Sequence, residues 1–114
     1  SLFVMKNQKG EIISAISIDH DEEVDKLDCW SKDFQPSAEV ARVCVRKDLQ
    51  GQGIAKMMME HVFAVLRGQN KKSVHILVRD NHKVALKCYS DLGFVLVGEC
   101  ELFEKYFVCM EKKL

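Results

Sequence analysis

The sequence predicts an α/β domain, α+β in the broader sense, built on one mixed, mainly antiparallel, twisted sheet with a parallel strand pair at its centre and flanking helices. Three observations predict it. Short β-branched runs stand in pairs at both ends of the chain, the pattern of hairpins and antiparallel edges. Two stretches further in carry apolar residues at three- and four-residue spacing, the period of a helix. The first of these lies between two strand-like runs, and strand, helix and strand in that order make a parallel pair with a right-handed crossover.

The elements follow in order. Leu2 to Met5 is apolar and short, Asn7-Gln8-Lys9-Gly10 is a turn cluster, and Ile12 to Ile18 is β-branched and partly alternating. Together they predict a hairpin with strands over 1–6 and 11–18. Asp19 to Pro36 has no clear period. Between Asp19 and Asp33 it carries seven acids against Lys26 and Lys32, and it is expected as a surface loop with room for a turn of helix. Glu39 to Val45 predicts a strand. Gly53 to Leu66 predicts a helix on whose face Ile54, Met57, Met58, Val62, Val65 and Leu66 recur, with Gly68 ending it. Ser73 to Arg79 is a strand. Asn81 to Leu92 is a second helix, with Ala85, Cys88, Tyr89 and Leu92 on one face and Gly93 closing it. Phe94 to Cys100 and Lys105 to Met110 are the last two strands. Neither repeat nor linker divides the chain, so residues 1–114 are read as a single domain.

Composition narrows the function classes. The 114 residues are 47% hydrophobic and 30% charged, with one proline and six glycines, which excludes disordered, collagenous and low-complexity chains. Seventeen Lys and Arg balance 17 Asp and Glu. Zero net charge removes the bulk electrostatic case for a nucleic acid or a membrane surface as partner. No apolar run approaches the ~20 residues that span a bilayer, and Ser1 to Lys6 lacks the basic leader and apolar core of a signal peptide. The five cysteines, Cys29, Cys44, Cys88, Cys100 and Cys109, are odd in number, form no C-x-x-C pair and fall mostly in apolar stretches. They are expected as reduced core residues of a cytoplasmic protein, with no disulfide framework and no zinc site. His20, His61 and His75 follow no metal-ligand spacing and are expected on the surface or a helix face, so no metal is expected.

The chemistry concentrates in Arg46-Lys47-Asp48-Leu49-Gln50-Gly51-Gln52-Gly53-Ile54-Ala55, which joins a strand directly to a helix. Two glycines bring bare backbone to the helix N-terminus, where unsatisfied N–H groups and a partial positive charge favour an anion such as a phosphate. A tight turn without a ligand fits the glycine spacing equally well. A dinucleotide fingerprint would need a small residue where Lys56 stands, and the P-loop pattern is absent.

In this segment the chain resembles the GNAT superfamily of acetyl-CoA-dependent N-acetyltransferases. That family's pyrophosphate loop reads Gln/Arg-x-x-Gly-x-Gly/Ala, and Gln50-Gly51-Gln52-Gly53-Ile54-Ala55 matches it between the expected strand and helix. A second signature, an alanine, a tyrosine four residues on and then Gly-Phe, is supplied by Ala85, Tyr89, Gly93 and Phe94.

The resemblance implies an acetyl-CoA cosubstrate held where the parallel strands 39–45 and 73–79 splay apart. It implies direct attack of an amine on the thioester. That reaction needs a neutral amine, a stabilised oxyanion and a proton for the leaving thiolate. Backbone around Val43, Cys44 and Val45 is expected to serve the oxyanion and pantetheine. The amides of Gln50, Gly51, Gln52, Gly53, Ile54 and Ala55 are expected to hold the pyrophosphate. Tyr89 stands at the family's general acid. Glu39, eleven residues before Gln50, stands at the general base of the histone-acetylating branch, whereas other members deprotonate the amine through water.

Two departures accompany the resemblance. Where the family has an asparagine three residues before the alanine, this chain has His82, with Asn81 one residue earlier, and both are candidate CoA contacts. The family's usual first strand and two helices, one wall of the amine pocket, are not seen before the first hairpin. The expected function is transfer of acetyl from acetyl-CoA to a primary amine of a small molecule or protein. The acidic stretch Asp19 to Asp33 offers attraction to a cationic acceptor, and a homodimer stays open. The rival readings are a non-catalytic acyl-CoA-binding or interaction module and a structural domain with an empty loop.

Overall fold

The computed structural model describes residues 1–114. Its strands are β1 (Leu2–Lys6), β2 (Ile12–Asp19), β3 (Ser37–Val45), β4 (Ser73–Arg79), β5 (Val95–Leu102) and β6 (Lys105–Lys113). Its helices are α1 (Glu22–Asp25), α2 (Ile54–Gly68) and α3 (Lys83–Asp91). One six-stranded sheet runs in the order β1-β2-β3-β4-β6-β5. Every neighbouring pair is antiparallel except β3 and β4. This is the mixed sheet with a central parallel pair that the sequence predicts.

α2 and α3 lie on one face. Met58, Met59, Val62, Phe63 and Leu66 of α2 pack with Val74, Ile76 and Val78 of β4 and with Phe94, and Ala85, Leu86 and Tyr89 of α3 close the same core. α2 buries the stripe its 3.6-residue period lays out, with Met59 and Val62 fully enclosed. Met57 and Val65, expected on that stripe, fall outside it, and Met57 is exposed.

The opposite face corrects the expectation for residues 19–36. This segment is a cover for the sheet rather than a surface loop. Asp21 caps α1 by accepting from the Glu23 amide at 2.9 Å. Val24 and Trp30 then turn inward onto Cys109, flanked by Leu77, Val97 and Leu102. Trp30 donates its indole N–H to the Val24 carbonyl at 2.8 Å, which lets a polar ring be buried. At Gly98, beside an irregular register in β5, an added Cβ would stand 2.8 Å from the Cys29 Cβ, so the segment's approach requires glycine. With both faces covered, β4 is buried nearly throughout, the reason Ile76, Leu77 and Val78 follow one another without a polar residue between them.

Two further expectations change. Only Cys109 of the five free cysteines is buried, and Cys44 is exposed. His75 is a buried strand residue at 4% exposure, not a surface one. No helix is long and apolar enough to cross a membrane.

Candidate active site

β3 and β4 pair only through Ser37–Ser73, Ala38–Val74 and Glu39–His75. Beyond Glu39 both strands continue without meeting, so their facing edges present backbone N–H and C=O groups that no strand satisfies. β2 reinforces the divergence: Ser17 and Ile18 pair with Arg42 and Val40, leaving Ala41 as an extra residue in β3. A bulge of this kind bends its strand and increases the local twist.

A cavity of about 880 Å³ opens between the diverging strands and runs to the start of α2. Val43, Cys44 and Val45 line one wall, and Ile76 to Arg79 the other. Gln50, Gly51, Gly53, Ile54 and Ala55 close its end, while His82 and Tyr89 of the α3 side look into it. The predicted residues Gln52, Asn81 and Glu39 do not line it.

The loop's geometry follows from its glycines. Gly51 and Gly53 have φ of 81° and 78°, the left-handed region where a Cβ is penalised. Gly53 is the N-cap of α2 without a side-chain cap, and the first turn holds no acid. Three N–H groups of that turn therefore keep no intrahelical partner, and the macrodipole adds positive potential. Gln50 has a structural task as well: its side-chain amide donates to the Val45 carbonyl at 3.0 Å and ties the loop to the strand end. Arg46 grips Asp48 through Nε and Nη2 at 2.7 and 3.1 Å, and this pairing pulls the Asp48 carboxyl below its usual range.

Arg42, Lys56 and Arg79 also line the cavity. The sequence reading missed them as site residues. Lys56 appears there only as the residue that breaks a dinucleotide fingerprint, and the available signal was its place in the first turn of α2. Three cations and a bare helix N-terminus on one apolar cavity suit a polyanionic ligand with an apolar arm.

Tyr89 is half-buried and packs edge-on to Phe94, with centroids 5.6 Å apart. Burial pushes its hydroxyl up to about 12, so the group stays protonated at any physiological pH. His82 caps α3, its Nδ1 accepting from the Ala85 amide at 3.3 Å. An asparagine is the usual choice for that task. Glu39 lies under the 19–36 segment beside Asp25 and His75. Burial, then Asp21, Asp25 and Asp19, raise its carboxyl to about 7.

A family model described as the acetyltransferase (GNAT) family matches residues 1–94. Solved structures share the fold. Nourseothricin acetyltransferase superposes with a TM-score of 0.76 at 15% identity, over 98% of this chain and 64% of that one. A GNAT family acetyltransferase from Elizabethkingia anophelis with acetyl-CoA bound gives 0.74 at 16% identity, over 99% and 75%. A ribosomal-protein alanine N-acetyltransferase from Escherichia coli gives 0.71 at 17% identity, over 94% and 64%. This chain thus spans somewhat under two-thirds of the length of the first and the last. No curated protein matches the sequence. With the family model covering most of its length, the chain belongs to the GNAT acetyltransferase family.

Proposed function

We propose that this member of the GNAT family binds acetyl-CoA in the cavity between β3 and β4 and transfers its acetyl group to a primary amine. One observation carries the reading: the unpaired edges of β3 and β4 lead directly to the bare N-terminus of α2 at Gly53. The pyrophosphate would sit on the Gly51–Ala55 amides, with Lys56 and Arg79 on hand for the remaining phosphate charge. The pantetheine arm would run along Val43 to Val45 and complete the edge hydrogen bonding that β4 leaves open.

In the reaction the amine nitrogen attacks the thioester carbonyl carbon. The oxyanion draws on a free amide of the β3 edge. As the C–S bond breaks, the sulfur takes a proton from the Tyr89 hydroxyl, which solvent restores. The attacking nitrogen's proton goes to water. Glu39, the other expected acceptor, lies away from the cavity lining. The acceptor is an amine of a small molecule or of a protein, and the location of the reaction is the cytoplasm.

Calorimetry with acetyl-CoA, followed by a free-thiol assay across a panel of amines, tests this. Binding with thiol release is expected. Binding without turnover of any amine would favour a module that holds the thioester without using it. No binding would leave the loop a plain turn. For Glu39→Gln, any loss of rate should be equal at pH 7 and pH 10. A loss confined to neutral pH, where an alkylamine of pKa near ~10 needs help to deprotonate, would return the base role to Glu39.

A further inference from the structure

The face opposite the helices gathers ionisable side chains that acetyl transfer does not use. Glu39, His75 and Glu111 stand in register across β3, β4 and β6, with His75 paired to both. They are 8%, 4% and 2% exposed. Asp25, on α1, reaches onto the row and places Oδ1 2.9 Å from His75 Nε2. No lysine or arginine pairs with any of the four. Glu111 is satisfied by the Ser31 amide and hydroxyl. Glu39 is not: its Oε1 is buried with no hydrogen-bond partner. A buried carboxylate oxygen without a donor, among further carboxylates and with no fixed cation, is costly unless a proton or a cation reaches it.

We propose that Asp25, Glu39 and His75 bind one divalent cation of the zinc class. One ligand atom from each lies within 4.8 Å of the others. One imidazole nitrogen with two carboxylate oxygens is a set that Zn²⁺, Co²⁺ or Mn²⁺ accepts with water completing the shell, whereas Ca²⁺ wants six to eight oxygens. Two carboxylates also neutralise the ion.

The surroundings complete such a site. Ser37 Oγ is 2.6 Å from His75 Nδ1. With Nδ1–H donated to that hydroxyl, Nε2 turns a lone pair toward the carboxylates, the usual way a metal-binding imidazole is oriented. Without a cation, the 2.9 Å contact between Nε2 and Asp25 needs a proton on Nε2, and Nδ1 then accepts from the Ser37 hydroxyl. On binding, that proton would move through solvent to Nδ1, the hydroxyl would turn to accept it, and Nε2 would be free for the cation. Trp30 packs against the imidazole at a tilt of 45°, with ring centroids 4.7 Å apart. Asp25 Oδ2 meets Nδ1 of the exposed His20 at 2.6 Å, which marks the solvent route. The ligands come from α1, β3 and β4, so the ion would fasten the 19–36 segment to the sheet. It stands apart from the acetyl-CoA cavity, and its role is in folding and rigidity.

The test uses the full chain freed of metal by a chelator. Zn²⁺ is titrated in competition with a chromophoric chelator, and Co²⁺ serves as a spectroscopic stand-in. One equivalent should bind, raise the unfolding temperature and give a Co²⁺ spectrum without a thiolate charge-transfer band. Asp25→Asn and Glu39→Gln, which keep side-chain shape, should each weaken Zn²⁺ at least tenfold. Ser37→Ala, an orienting change, should cost ~10–100-fold. If one variant fails to fold without metal, the other decides. No stoichiometric binding, or binding undiminished in the folded variants, overturns the proposal. A thiolate band would move the metal to Cys29, Cys100 and Cys109 and overturn it equally.

Discussion

Gly53 separates what a position needs for folding from what it offers a ligand. Its φ of 78° and its open surroundings mean that a side chain there is strained rather than blocked. Aspartate tolerates the left-handed region better than most residues and is itself a good N-cap. In Gly53→Asp the carboxylate would occupy the N–H groups and repel phosphate. Acetyl-CoA affinity is expected to fall at least tenfold, about 1.4 kcal/mol, with the circular dichroism spectrum unchanged. Equal affinity in calorimetry would remove this loop from ligand binding. Tyr89→Phe keeps the ring against Phe94 and deletes the proton. Transfer should slow by ~10²–10⁴-fold while acetyl-CoA binds as before. The wild-type rate should show no falling limb near pH 10, the ordinary tyrosine value, because burial holds this hydroxyl up to about 12. The sign for stability is the same: the contribution of the raised group is full below its unfolded pKa and is lost as pH climbs toward the folded one. Chain-local geometry, such as the bare backbone that Gly51 and Gly53 bring to the start of α2, was legible in the sequence. The partners of His75 were not, because Asp25, Ser37 and Glu39 reach it only through the sheet register and the fold-back of α1.

At the scale of elements, all six strands and both long helices follow the sequence periods to within a few residues. The parallel pair was legible because a helix separates its strands. The 19–36 segment was not, because its acids mask the two residues, Val24 and Trp30, that anchor it. Their burial is a tertiary event without a local period. Gly98 tests how tightly the segment is seated. Gly98→Ala would force a Cβ against Cys29, and overpacking of this kind costs typically ~1–3 kcal/mol. Thermal unfolding should shift down accordingly, and Cys29→Ala, by deleting the Sγ but not the Cβ, should rescue little of it. Full rescue would show that the sulfur, not the backbone approach, sets the fit.

For the molecule as a whole, the short β3–β4 pairing has a mechanical consequence. The six strands form one ladder only where 37–39 meets 73–75. One three-stranded block lies on each side, β1-β2-β3 and β4-β6-β5, joined by that narrow seam, by α2 and by the 19–36 segment packed on the opposite face. Such a molecule should open along the seam at lower free energy than it unfolds, as separate cooperative units do. A ligand spanning the gap acts as a missing strand and welds the blocks. Amide hydrogen exchange offers the measurement. With acetyl-CoA at ~100 times its Kd, about 2.7 kcal/mol of added stability is available, and the slowing should concentrate at residues 40–45 and 76–79. Slowing spread evenly over all six strands would mean that the blocks already open as one.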